Sequence, residues 1–375
     1  MTATTDAETT DNGTGAGMDR TPAEPDPVAP AEGRAWVPLA TDVGRWVAAL
    51  AGSFLLFGLF VALRGASPVE ALRAVWESAA GDTGALGETL VRATPLVLAA
   101  LAVTVPARAG LFNIGGEGQL LLGAIGAVGA SRMLDGAVPM VPTLAIMGLA
   151  AAATGAAWAG IAAVLRQVFG TNEAITTLLL NYIAGLILTW LVFEPWKDPQ
   201  SLGQAYTKEL DDKSRLPILW GNRVHAGLLI ALVAAVAVWL LLSRTRWGFR
   251  LGVLGGNAEA ARRAGFRVGG LSLGAMMVGG ALAGLGGMTE VAGVEGRLRP
   301  EILVSYGYTA FLSSWLARHH PLHTLWAATL LGGIIVGGFG LKIATGLSGG
   351  AVEVLSALVL LGVLGFAQTG ARKAV

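Results

Sequence analysis

The sequence predicts an all-α fold: a polytopic helical membrane protein with about ten transmembrane helices, some of them short or broken. Three observations carry that prediction. The chain is 54% hydrophobic and 14% charged, with a mean hydropathy of +0.62; soluble domains hold about 25% charged residues. Its apolar residues fall in runs near the roughly 20 residues that a helix needs to cross a bilayer core. Those runs are also dense in glycine, 54 of 375 residues, and small residues let helices pack closely in lipid.

Residues 1–45 are acidic and rich in Pro, Gly, Thr and Ala, without apolar periodicity, so they read as a disordered cytosolic tail. No basic stretch precedes a short apolar core there, and no cleaved signal peptide is expected. The transmembrane domain is expected over 46–368, with spans at 46–63, 91–107, 111–131, 139–165, 174–193, 225–243, 271–292, 304–318, 324–341 and 349–368; a cytosolic tail, 369–375, follows. The second and eighth spans are short, so each is expected to be tilted, broken or re-entrant.

Orientation follows from the loops. With the N-terminus in the cytosol, the inner loops collect Arg108, Arg166, Arg244, Arg246, Arg250, Arg262, Arg263, Arg267, Arg318, Arg372 and Lys373 against only Glu173 and Glu259. The outer loops balance their charges. Both termini are therefore expected inside, and 194–224 is expected to be extracytoplasmic.

Several chemistries are set aside. There are no cysteines, hence no disulfide framework or thiolate metal site. A net charge of +1 without a dense basic patch gives no reason to expect nucleic acid. No catalytic residue is assigned. GLSGG at 346–350 resembles an intramembrane protease motif, but all four histidines precede Ser348, where such an enzyme needs its base on a later span. His319 and His323 have i,i+4 spacing, yet Pro321 interrupts them and no acidic ligand is near, so no metal site is expected. No GxxxxGK[ST] loop occurs to cradle nucleotide phosphates; if transport is ATP-driven, the ATPase is a separate chain.

Polar residues inside apolar spans mark candidate function. LFNIGGEGQLLLG, 111–123, carries Asn113, Glu117 and Gln119 among glycines. On a continuous helix Asn113 and Glu117 share a face, with Gly116 between them; alternatively, the glycines let the helix break and turn backbone groups towards a cavity. TNEAITTLLLNYIAG, 171–185, opens with the structural caps Thr171 and Asn172 and with Glu173 at the positive helix end. Asn181 lies within that span and needs a partner inside the bundle. Glu290 and Glu353 lie near span ends, where snorkelling to the interface is expected. Gly280 and Gly284, like Gly333 and Gly337, fit GxxxG and argue for a compact bundle.

The inner loop 244–270 holds a further element. Asn257 is an N-cap, Glu259 sits in the first turn four residues before Arg263, and Gly265 is a C-terminal stop. A short, basic, Ala-lined helix between glycine pairs reads as a docking element, formed by Gly256, Asn257, Glu259, Ala260, Ala261, Arg262 and Gly265.

ARAGLFNIGGEGQLLLGA (107–124), TNEAITTLLLNYIA (171–184), TRWGFRLGVLGGNAEAARRAGFRV (245–268) and GGALAGLGGMTEV (279–291) resemble permease subunits of bacterial ABC importers, in the nucleoside and simple-sugar branch akin to ribose and branched-chain amino acid permeases. The similarity runs in order over roughly 90–368. Late departures are RHHPLH (318–323), where members often have an Asn-Pro turn, and SYGYTAFLSSWLARHH (305–320) in place of a Gly-rich aliphatic pattern.

The resemblance implies a multi-pass protein of the bacterial cell membrane that is not an enzyme. It implies a second permease subunit, identical or paralogous, and cytosolic ABC ATPase subunits that hold ATP and Mg, with no cofactor on this chain. It also implies an extracytoplasmic substrate-binding protein meeting the outer loops, and 244–270 as the ATPase-coupling loop. Asn113, Glu117, Gln119 and Asn181 are then the substrate-pathway candidates, offering hydrogen bonds to ribose hydroxyls or base edges, or holding the bundle in register. The competing reading is a self-sufficient ion-coupled secondary transporter or channel with Glu117 as carrier.

Overall fold

Caps and turn residues cut the apolar chain into helices. In the computed structural model, residues 39–371 are described apart from 202, 222, 348 and 349, with side chains described at 48 and over 50–362 outside those gaps. The chain divides into 1–43, of which only the start of one helix is described, and 44–375, which holds every contact discussed below.

Helix α1 (Leu39–Leu63) leads to α2 (Pro68–Ala80). Ser67 caps α2 by accepting from the Glu70 N–H, and Pro68 stands where no N–H is needed. Asp82 caps α3 (Thr83–Arg108), accepting from Ala85 N at 2.7 Å. α4 (Gly116–Leu134) follows a non-helical stretch, and α5 (Met140–Phe169) stops at Gly170, φ +69°. Asn172 caps α6 (Glu173–Phe193), accepting from the N–H groups of Ala174 and Ile175.

A long connection carries the short antiparallel hairpin β1 (Ile218–Trp220) and β2 (Val224–His225) before α7 (Gly227–Arg244). Then come α8 (Arg246–Gly256), α9 (Ala258–Arg263) and α10 (Val268–Glu290), which widens into a π turn, Val291–Glu295. The last elements are α11 (Tyr306–Leu316), α12 (His323–Thr345) and α13 (Gly350–Ala371). Among the described residues, six helices are long and apolar enough to cross a membrane: α3, α5, α6, α7, α12, and α10 with its π turn.

α3 is the axis of the bundle. In its most apolar 18-residue window 83% is buried, against 56% or less in the other five, and α7, α10, α11 and α12 pack on it. A second core forms where Phe57 and Val61 of α1 meet α2, α12 and α13 through Val75, Leu331, Leu341 and Leu355. Between α5 and α10 the helices touch backbone to backbone. A Cβ at Gly280 would fall on the Gly155 carbonyl, and one at Gly284 on the Ala151 carbonyl. α4 joins this seam through Gly123, whose Cβ would meet Gly284, while a Cβ at Gly287 would meet Leu120.

Several expectations change. The second span is not short: α3 has 26 residues and accommodates Pro95 and Pro106. The eighth is short, the 11-residue α11. The span at 111–131 is helical only from Gly116. The connection 64–90 contains α2, an amphipathic helix whose Ala71 and Val75 are buried. Two helices, not one, occupy 244–270. Glu290 is 2% exposed and does not snorkel, whereas Glu353 is exposed. Ser348 and residues 1–38 lie outside the described residues.

The connection 194–224 lies over the end of α10. Leu216 N donates to Ala292 O at 2.9 Å, Leu210 N to Gly296 O at 2.8 Å, and Thr207 N to Leu298 O at 3.1 Å. Those bonds satisfy carbonyls that the π turn and the bend after it release from the helical ladder.

Candidate functional site

Pro106 and a run of glycines open the backbone around 111–118, and side chains of α6, with Asn113 and Gln119, close it again. Pro106 has no N–H, so the Ala102 carbonyl one turn earlier loses its helical donor. Asn113 supplies one: its Nδ2 donates to Ala102 O at 3.1 Å. The same side chain pairs reciprocally with Gln119, Nδ2 to Oε1 at 3.0 Å and Nε2 to Oδ1 at 2.8 Å, and its Oδ1 also accepts from Gly115 N at 3.1 Å. Asn113 is fully buried and Gln119 nearly so. Asn113 and Glu117 therefore do not share a helical face, because Asn113 precedes the helix.

The other wall is α6. Positions 173, 177 and 181 recur at i, i+4 and i+8 and so line one face. Glu173 Oε1 accepts from Phe112 N at 3.2 Å, and Thr177 Oγ1 from Ile114 N at 3.2 Å. Asn181 donates to Ile114 O at 3.0 Å and accepts from Gly118 N at 2.8 Å. Asn181 thus caps α4 from a neighbouring helix, satisfying an N–H that no residue of α4 reaches. Glu173 does more than meet the dipole of α6: it is buried, pairs with Arg166 and holds the open segment. Thr171 plays a lesser part, accepting from Thr176 Oγ1 at 3.4 Å. Asn181→Ala is expected to leave the Gly118 N–H and the Ile114 carbonyl unpartnered, at about 1–3 kcal/mol each. A lowered melting temperature in detergent checks it.

Glu117 faces a different neighbour. Its Oε1 accepts from Ser305 N at 2.7 Å and its Oε2 from Gly307 N at 2.8 Å. Both donors lie at the N-terminus of α11, where backbone N–H groups are orphaned and negative charge is favoured. The helices cross closely there, since a Cβ at Gly116 would lie 3.3 Å from Gly307 Cα. The four candidates divide between two contacts, then: Asn113, Gln119 and Asn181 hold the open segment, and Glu117 holds α11.

In the loop 244–270, Asn257 Oδ1 accepts from Glu259 N and Ala260 N, both at 3.0 Å, and Glu259 pairs with Arg262 and Arg263. Gly265 has φ +77°. Ala261 packs inward, while Gly256, Asn257, Glu259, Ala260 and Arg262 are exposed. Beside α8, Arg108, Phe249, Gly252, Gly256 and His319 line a cavity of about 530 Å³. Burial pushes the His319 pKa down, so a neutral ring is favoured there. Among the described residues no three His, Asp or Glu side chains are grouped to hold a metal ion.

A further polar cluster escaped the sequence reading. Arg92 of α3 reaches both Glu290 of α10 and Tyr306 of α11. Its signal was legible: a guanidinium inside a predicted span, like a carboxylate, needs an interior partner. Nearby, His225 is 1% exposed.

A family model described as branched-chain amino acid transport system, permease component, matches residues 85–366. The glucose ABC transporter permease protein TsgB13 of Haloferax volcanii is 39% identical to this chain over 87% of each. The guanosine ABC transporter permease protein NupP of Bacillus subtilis is 31% identical, over 81% of this chain and 87% of its own. The nucleoside ABC transporter permease protein NupB of Lactococcus lactis is 28% identical, over 83% and 88%. With three quarters of its length under that model and these relatives matched nearly end to end, the chain belongs to the family of branched-chain amino acid transport system permease components.

Proposed function

We propose that this chain forms the translocation pathway of an importer for a nucleoside or simple sugar, crossing the membrane about ten times with both termini in the cytosol. As an ABC permease it is a transport subunit of the cell membrane and not an enzyme. Permeases of this family work with an ATPase and a substrate-binding protein. ATP and Mg belong to the ATPase, the binding protein meets the connection 194–224, and a second permease, identical or paralogous, completes the pathway within the lipid.

One observation carries the reading. The N-termini of α4 and α11 meet inside the bundle, each held by a side chain of another helix, Asn181 on Gly118 and Glu117 on Ser305 and Gly307. Interrupted helices joined by exchangeable hydrogen bonds are the kind of element an alternating-access transporter shifts. Asn113, Glu117, Gln119 and Asn181 shape the pathway as its brace, because most of their hydrogen-bonding capacity is taken up within the protein. Glu117 in this role neutralises a helix end, which disfavours the ion-carrier alternative.

The test is ATP-dependent uptake of labelled guanosine and glucose by the permease reconstituted with its ATPase and binding protein. Uptake that needs all three supports the reading; uptake by the permease alone, driven by an ion gradient, overturns it.

The coupling loop makes a separate prediction. Asn257→Ala removes both cap hydrogen bonds of α9, at about 1 kcal/mol. ATPase co-purification is expected to fall several-fold while the permease still folds; unchanged co-purification overturns the coupling role.

A further inference from the structure

Glu290 closes α10 almost fully buried, and a carboxylate in an apolar bundle is costly unless paired and hydrogen-bonded. Its neighbours come from two other helices. Arg92 Nη1 lies 3.5 Å from Glu290 Oε1 and donates to Tyr306 Oη at 3.0 Å. Glu88 stands 3.4 Å from Arg92 Nε and 3.1 Å from Arg223 Nη1.

These contacts do not exhaust the cluster. Among the described residues, the buried Glu290 Oε2 has no hydrogen-bond partner, and neither does His225 Nε2 close by; Arg92 Nε has none beyond its 3.4 Å ion pair with Glu88. Gly293, one turn on from Glu290, leaves room for that imidazole: a Cβ there would lie 2.5 Å from His225 Nε2. A salt bridge kept only as a staple is stable when its remaining lone pairs and protons are satisfied. Here a buried acceptor, Glu290 Oε2, stands open on a carboxylate whose other oxygen lies 3.5 Å from the Arg92 guanidinium of a neighbouring helix.

We propose that Glu290, Arg92 and Tyr306 form the station at which the pathway holds two neighbouring hydroxyls of its solute. The proposal rests on the importer reading above. A carboxylate oxygen accepts from one hydroxyl, and the guanidinium donates to the oxygen of the next. A vicinal diol is the feature that ribose and glucose share. The station touches the first turn of α11 through Tyr306, the turn whose backbone Glu117 holds from α4. A solute bound there pulls on the same joint that the brace secures.

The experiment uses the full complex in proteoliposomes, with the binding protein saturated in turn by guanosine, 2′-deoxyguanosine, glucose or 2-deoxyglucose. The wild type is expected to import the diol faster than its deoxy analogue. Glu290→Gln is expected to lower diol uptake by about tenfold and to bring the two rates together, since a site built to hydrogen-bond a hydroxyl discriminates by that group. Tyr306→Phe keeps the ring and removes one hydrogen bond, and is expected to move the ratio the same way by a smaller factor. It decides the matter if Glu290→Gln fails to assemble with the ATPase. Variants that slow both solutes equally, or keep the wild-type ratio, overturn the station and leave the importer reading intact. A wild-type complex that imports neither nucleoside nor sugar overturns the importer reading for these solutes, and the station's ligand with it.

Discussion

Gly284→Leu is expected to leave almost no folded permease in the membrane. A Cβ at this position would fall on the Ala151 carbonyl, with Gly155 Cα 3.3 Å away, and Gly123 of α4 lies against the same residue. Overpacking a core usually costs about 1–3 kcal/mol when side chains can adjust. Here the obstacles are backbone atoms of α5, which cannot turn aside, so even Gly284→Ala is expected to lower the melting temperature markedly. Gly270→Ala is the control. It lies near the start of the same helix, its Cβ would approach nothing nearer than 3.9 Å, and alanine gains up to about 1 kcal/mol in helix propensity. Yield and melting of the detergent-solubilised protein measure both. A stable, monodisperse Gly284→Leu protein would remove the seam from the account of this fold.

The second large effect is on transport. Glu117→Ala is expected to abolish uptake while the ATPase still co-purifies, because α9 lies in the separate loop 244–270. The substitution leaves the N–H groups of Ser305 and Gly307 without their acceptors. Hydrogen bonds to a charged group contribute about 1.5–3 kcal/mol each, enough to release the first turn of α11 from α4. Glu117→Gln keeps an acceptor but loses the charge at the helix end, and is expected to fall between the two. Wild-type uptake by Glu117→Ala would sink the brace.

Local chemistry was legible in the sequence. Asn172 ahead of an apolar run marked the start of α6, and Asn257, Glu259 and Gly265 marked α9, because caps act within a turn of their own residue. What stayed hidden depends on partners far along the chain. Nothing local says that Asn113 answers the carbonyl freed by Pro106, or that 173, 177 and 181 form a ladder for the backbone of 112–118. The pairing of Arg92 with Glu290 spans 198 residues. The helix α2 was missed because Pro68 and charged residues make its sequence read as a loop, while its apolar face is only wide enough to lie on α12. Glu290 was misread because nearness to a span end does not reveal which way a side chain points.

The glycine contacts among α4, α5 and α10 have a kinetic consequence. Helices that meet through backbone atoms have no side-chain layer to re-form, so sliding them past one another means overlapping main chain. These three are therefore expected to move as one block in any rearrangement of the bundle. Against α11 the block is held by the two hydrogen bonds to the Glu117 carboxylate and by the close Gly116–Gly307 crossing, so displacing α11 means breaking both.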